Sequence, residues 1–378
     1  DWSKGRNAVY ITYNGHRFDE ELFRRQFFWN LLPLYITNTS GASRLDMLST
    51  LQLVANFFPH SLKLPITEEG DISMKLTDWS NANSIEIENA HDALADCVQM
   101  LELAKIILKE AKPVWQASLK GASKFGNLEI LQTEPFAMIG EVIRRKKFTY
   151  PVTFCGQNPK MNNEVAVADL YFDPDQLDEL TDAELLEQIG NSGTAIRKVR
   201  INKSLPVMPS DLIPNIDEYL DIPYEQLVER AKKIQNNVRL QTRVSELLAS
   251  NQMNYPPPKH LEQSVYSGFP SDADDLWMER FHSLPWEERS KILDGFEDSR
   301  FKELAERLVC VNNPESVSNQ TFEKYQNFVN QRLYDKGPWL SLEKTLDKTR
   351  SLLLEATGEK KEILEKLEKN LSEKSDLN

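Results

Sequence analysis

Residues 88–96 read "ENAHDALAD" and open a strong helical pattern. His91 and Asp96 stand either side of small residues, just where the helix begins. The stretch "DALADCVQMLELAKIILKEA" (92–111) then spaces its apolar residues as an amphipathic helix does. Two readings of the opening turn remain open. Asn89 or Asp92 caps the helix and the turn is merely polar, or His91 is a general base and Asp96 a metal ligand.

Working outward, "NAVYITYN" (7–14) is rich in β-formers and predicts a strand. "DEELFRRQFFWNLLP" (19–33) predicts a helix that Pro33 ends. "SRLDMLSTLQLVANFF" (43–58) predicts a second amphipathic helix. One strand does not make a sheet, so its partners are expected elsewhere, upstream among the possibilities. Asp19 follows the strand and starts a helix, the position at which an α/β fold exposes functional side chains. Asp19, Asp96 and His91 could therefore converge from separate elements.

That set suits phosphodiester hydrolysis. Two divalent ions roughly 3.5–4 Å apart would flank the phosphate, and hard cations take carboxylate oxygens. A histidine, with an ordinary pKa near 6.5, can take a proton from water at neutral pH. Asp46 in "RLDML" reads as structural. Arg17 and Arg24 flank Asp19 and could hold phosphates, or be solvated or salt-bridged. Tyr35 could stack on a base or belong to the core.

From about 125 to 205 the texture changes to short β-rich runs with turns between them: "EPFAMIGEVI", "YPVTFCGQ", "EVAVADLYF" and "AIRKVRINKSLPVM". This predicts a small antiparallel barrel or sandwich. Its dense basic runs, "RRKK" (144–147) and "RKVRINK" (197–203), offer Arg144, Arg145 and Lys203 as a phosphate track or as plain solvated charge. A helical stretch over 223–250 and the stiff connector "NYPPPK" (254–259) follow. The chain is then helical to its end, where Leu364, Leu367 and Leu371 share one face of a packed or coiled helix.

The 378 residues allow two or three domains. Three scattered cysteines without a C-x-x-C pair argue against a disulfide framework or zinc cluster and fit a reducing cytoplasm. No apolar run reaches the roughly 18 residues of a membrane span, and no signal peptide is legible. The net charge of -13 argues against a nonspecific nucleic-acid coat, though not against a nuclease with a local basic track. The chain begins with Asp1 instead of Met, so an upstream segment is expected to be missing.

H-x-x-x-x-D after N-x-x-(F/Y)-D resembles the DEDD exonucleases of the histidine-containing branch. Five blocks in order, "YNGHRFDEELFRRQFFWN", "RLDMLSTLQL", "NAHDALADCVQMLELAK", "RINKSLPV" and "YSGFPSDAD", are similar to the bacterial exodeoxyribonuclease I family through nearly the whole chain. The resemblance implies an α/β RNase H-like exonuclease domain, here partial, then a small SH3-like β-barrel and an α-helical domain. The corresponding boundaries are 1–115, 116–253 (with a helical insert) and 260–378. It implies processive, metal-dependent 3′ to 5′ hydrolysis of single-stranded DNA, releasing 5′-mononucleotides in DNA repair and recombination. Two Mg²⁺ ions, or Mn²⁺, would be the cofactors. By position, Asp19 and Asp96 would be metal ligands and His91 the general base. Arg17 and Arg24 match family arginines and would contact DNA. Single-stranded-DNA-binding protein is the implied partner, and a cytoplasmic monomer with no membrane role is expected.

The family's first motif, D-x-E, should stand roughly 90 residues before Asp19 and complete the two-metal carboxylate set. Too little chain precedes Asp19 here, so the sequence reads as a fragment, expected to bind metal poorly, to fold its first domain incompletely and to be inactive by itself. The alternative is a non-catalytic module that binds single-stranded DNA or its binding protein.

Overall fold

The computed structural model describes residues 7–86, 92–190, 193–251 and 256–376, apart from the side chains of Arg17, Ser375 and Asp376. The chain divides into two compact units. One comprises Asp1–Arg24 and Leu34–Pro256, the other Arg25–Pro33 and Pro257–Asn378.

The first unit opens with β1 (Val9–Thr12) and the start of α1 (Asp19–Trp29). The stretch expected as one helix over 43–58 is instead β2 (Ser43–Asp46) followed by α2 (Met47–Phe57). The reason is local. Asp46 caps α2 by accepting from the Leu48 N–H, so the helix cannot begin before it. The three residues ahead pair in parallel with β1, in a register that sets Thr12 beside Asp46. The partner strand therefore lies downstream of β1.

Next come α3 (Leu76–Ala82), α4 (Ala93–Glu110), α5 (Lys112–Lys120) and α6 (Lys124–Leu131). The long helix expected over 92–111 is thus present, and Asp92 is its N-cap, accepting from the Leu94 N–H at 3.2 Å. Asn89, the other cap candidate, lies outside the described residues.

The β-rich region is β3 (Ala137–Ile143), β4 (Lys146–Gln157) and β5 (Glu164–Asp169), then α7 (Pro174–Glu179), α8 (Asp182–Glu187), β6 (Ile189–Gly190), β7 (Ile196–Arg200) and β8 (Val207–Pro209). They form one six-stranded mixed sheet in the order β6-β7-β5-β4-β3-β8, antiparallel except for β6 with β7. The helical stretch after it breaks at Asn237 into α9 (Tyr224–Asn236) and α10 (Val238–Ser250), because Asn237 caps the second helix through the Leu240 N–H. One core runs through Met47, Leu51 and Phe57 of α2, Leu103 and Ile107 of α4, Phe136, Met138 of β3 and Leu227 of α9. The residues on either side of position 115 therefore share a single apolar interior.

The second unit holds α11 (Asp272–Ser283), α12 (Trp286–Arg289), α13 (Ser299–Asn312), α14 (Asn319–Tyr334), α15 (Leu342–Leu353) and α16 (Gly358–Asp376). Phe28 packs edge-on against Phe301, with ring centroids 6.0 Å apart. His282 Nε2 lies 2.9 Å from the Asn30 carbonyl. No described helix is long and apolar enough to cross a membrane. The cysteines are unpaired, Cys97 exposed, Cys155 and Cys310 buried.

Candidate active site

Two parallel strands end side by side, and their carboxyl ends carry acidic groups. After β1 the chain turns through Asn14 in the left-handed conformation (φ 56°) and a single 3₁₀ turn, Gly15–Arg17, to reach Asp19 at the first position of α1. Asp19 is half-buried. At the end of β2, buried Asp46 accepts from the Asn14 N–H at 2.7 Å and the Leu48 N–H at 3.0 Å through Oδ1. Burial pushes the Asp46 carboxyl up, two backbone N–H groups and His16 oppose this, and the Asp19 carboxylate adds to the rise. Asp19 and Asp46 are thus electrostatic neighbours at one end of the strand pair. The reading of Asp46 as structural holds for its capping role. Its closeness to Asp19 required the β1–β2 pairing to be known.

Beneath them is a polar cluster. Glu20 is buried at 6% exposure and gathers His16 Nδ1 at 2.8 Å, Arg24 Nη2 at 3.1 Å and an ion pair from Arg44. Burial, and then the charge of Arg44, pull the His16 pKa down to about 4. The ring is neutral at pH 7. Its Nε2 accepts from the Ser204 N–H at 3.0 Å, so its one proton sits on Nδ1, facing Glu20.

The stretch 201–204 is itself anchored. Asn127 Nδ2 donates to the Ile201 and Lys203 carbonyls at 3.0 and 2.8 Å, and Arg44 Nη2 donates to the Asn202 carbonyl at 2.9 Å. Sequence reasoning missed His16, Glu20 and Ser204 as members of this cluster. The i, i+4 spacing of His16, Glu20 and Arg24 was the one available signal.

Asp96 sits half-exposed in the first turn of α4, where the buried Gln99 amide donates to its Oδ1 at 3.4 Å. His91 lies outside the described residues. Arg24 reaches over the Tyr35 ring, 5.3 Å from its centroid. Tyr35 is half-buried. The Arg17 side chain lies outside the description. Arg144 and Arg145 form the exposed β3–β4 turn, and Lys203 is exposed with its charge felt at His16. The run 197–203 is mostly engaged within the fold: Arg197 pairs with buried Asp169 at 3.2 Å and Arg200 with Glu164 at 3.0 Å.

Carboxylates are the right donors for hard divalent ions. Among the described residues, however, no group of three or more His, Cys, Asp or Glu side chains converges as a metal centre requires. The described residues do not by themselves complete one.

The two-stranded parallel sheet, the six-stranded mixed sheet and the helical unit together make a fold similar to that of solved exonuclease I structures. The Escherichia coli exonuclease I structure in complex with a dA16 oligonucleotide superposes with a TM-score of 0.78 at 21% identity, covering 97% of this chain and 80% of that one. A structure of SSB/exonuclease I with an inhibitor gives 0.73 at 22% identity, over 97% and 79%. Residues 259–374 match the exonuclease I C-terminal domain. Among curated proteins, exodeoxyribonuclease I of Haemophilus influenzae is 28% identical over 318 residues, 79% of this chain and 66% of its own length. The chain is thus similar to bacterial exodeoxyribonuclease I, as its sequence blocks indicate, and spans just under two thirds of that relative.

Proposed function

We propose that the chain carries out exodeoxyribonuclease I chemistry: metal-dependent hydrolysis of single-stranded DNA from the 3′ end, releasing 5′-mononucleotides in DNA repair and recombination. The observation that carries this is the placement of Asp19 beside Asp46 at the carboxyl end of a parallel strand pair, in a chain similar to that enzyme. On this reading the strand pair and its helices belong to an RNase H-like domain ending near 115. The six-stranded sheet is the SH3-like barrel of 116–253, and 260–378 is the helical domain.

Asp19 and Asp96 would hold Mg²⁺ or Mn²⁺, which would neutralise charge at the phosphate. His91 would accept the proton of the attacking water. Arg17, Arg24, Arg144, Arg145 and Lys203 would meet phosphates, and Tyr35 a base. Single-stranded-DNA-binding protein would be the partner, and a cytoplasmic monomer the working form.

The test is a 5′-labelled single-stranded oligonucleotide incubated with Mg²⁺ and the protein joined to an upstream segment that carries the D-x-E motif. A ladder shortening from the 3′ end, abolished by chelator and by Asp96→Asn, is expected. Cleavage that survives chelator would overturn the metal-dependent reading.

A second reading is favoured by the lack of a convergent metal-ligand set among the described residues. It is a module that binds single strands, or their binding protein, and cuts nothing. Salt-sensitive oligonucleotide binding with no product under the same conditions would select it.

A further inference from the structure

The β3–β4 turn is built against its own backbone preference. Ile143 pairs with Lys146, leaving Arg144 and Arg145 as a two-residue loop, both at positive φ (49° and 67°). Such a hairpin loop favours asparagine or glycine there. Two arginines in the left-handed region carry a backbone cost that glycine would not. Strain of this kind collects where function holds it.

Beside this turn a ladder of planar groups reaches the surface. Phe148 and Tyr150 alternate on one face of β4, their rings parallel to within 5° and their centroids 6.4 Å apart. The Arg197 guanidinium lies 3.6 Å from the Tyr150 centroid. Arg197 is fixed in turn by Asp169 Oδ2, which accepts from its Nε and Nη2 at 3.3 and 3.2 Å. The ladder is therefore anchored in the interior at Arg197 and ends in Phe148, which is 41% exposed. Glu141 stands opposite Phe148 in the β3–β4 register, and burial pushes its carboxyl up against the opposing pull of Arg197. Lys147, next to Phe148, is exposed, while Lys146 pairs with Asp71 at 3.0 Å.

A rigid aromatic face beside Arg144 and Arg145 complements a partner that alternates planar rings with negative charge. We propose that Phe148, backed by Tyr150 and Arg197, is a base-stacking platform for single-stranded nucleic acid, whose phosphates run along the Arg144–Arg145 turn. This rests on the proposed single-strand function and adds to it a specific stacking residue on the β-sheet.

The test is fluorescence anisotropy of an oligo-dT strand and of the same backbone without bases, both in chelator to prevent cleavage. Phe148→Ala is expected to weaken oligo-dT binding roughly five- to a hundred-fold, the range for one stacked base, and to leave base-free binding unchanged. Phe148→Trp should restore the loss. Arg144→Ala with Arg145→Ala should weaken both strands and flatten the salt dependence. If Phe148→Ala weakens neither strand, or both equally, the platform is wrong while single-strand binding stands. If the unaltered protein binds no oligo-dT, the proposed function and the platform fall together.

Discussion

The Ser204 N–H donates to His16 Nε2 at 3.0 Å across 188 positions of sequence. It joins the turn ahead of Asp19 to the loop between β7 and β8. The same serine accepts the Asp46 N–H on its hydroxyl at 2.8 Å and donates that hydroxyl to the Arg44 carbonyl at 3.1 Å. Its own carbonyl accepts from Ser49 Oγ at 3.1 Å. Ser204 thus holds β2, α2 and the Asp19 turn at once. Ser204→Ala would leave the Asp46 N–H and Arg44 carbonyl without this partner. We expect a loss of about 1–3 kcal/mol, read from the urea midpoint. A shift under about 0.5 kcal/mol, the size of an ordinary surface change, would show that the hydroxyl does not clip these segments.

His16 gives this clip a pH dependence of definite sign. Its pKa falls from the ordinary 6.5 to about 4 on folding. Between those values the unfolded chain holds the extra proton, so the contribution is complete above about pH 6.5 and fades as the pH falls toward 4. The linkage is on the order of 3 kcal/mol over that window. Buried Asp46 and half-buried Glu141 shift upward and tilt the profile the other way. The informative quantity is therefore the difference between the protein and its His16→Gln form. The stability of the variant should depend less steeply on acid between pH 6.5 and 4; parallel profiles would mean that His16 is not held neutral.

What the sequence disclosed depended on how local each signal was. The helix of "DALADCVQMLELAKIILKEA" and its Asp92 cap were legible because spacing and cap lie within one stretch. β2 was not, since four residues run straight into an apolar helix and their strand character comes from pairing with β1. The break at Asn237 was hidden because the apolar spacing of α9 continues into α10. At the site, Asp19 and Asp96 stood out by motif. His16 and Ser204 did not, because their bond spans most of the first unit. Arg197 looked like part of a solvated basic run, yet it is buried between Asp169 and Tyr150, two residues far from it in sequence.

In the second unit, Glu262 accepts from Arg307 Nη1 at 2.8 Å and Arg332 Nη2 at 3.0 Å. Arg307 lies 3.6 Å from the Phe328 centroid, and Arg332 lies 4.0 Å from that of Trp339. Burial alone would raise the Glu262 carboxyl, but the bonds from Arg332 and the charge of Arg307 bring it below its usual value. Its contribution is present above the unfolded carboxylate pKa and is lost as the pH falls through the folded one. Glu262→Gln keeps the shape and removes the charge that holds two arginines together. A loss of about 1–3 kcal/mol is expected, followed by Trp339 fluorescence during thermal unfolding. An unchanged transition would show that the cation–π contacts suffice.

Gly140 on β3 makes the sharpest packing demand between sheet and helix in the first unit. A Cβ built there would lie 2.7 Å from Phe57 Cε2 and 2.9 Å from Asn56 Cβ, both on α2. Neither neighbour can retreat easily. The Phe57 ring stands edge-on to Tyr219 with centroids 5.5 Å apart, and the Asn56 amide donates to the Gln52 and Glu141 carbonyls at 2.9 and 3.2 Å. Gly140→Ala should therefore force α2 away from β3 and cost about 1–3 kcal/mol, measured by denaturant unfolding. Phe57→Leu in the same chain removes the ring that the new methyl meets. The two changes should cost less together than the sum of their separate effects, with a coupling of about 0.5 kcal/mol or more. Strict additivity would mean that the strand, and not the helix, yields to the added methyl group.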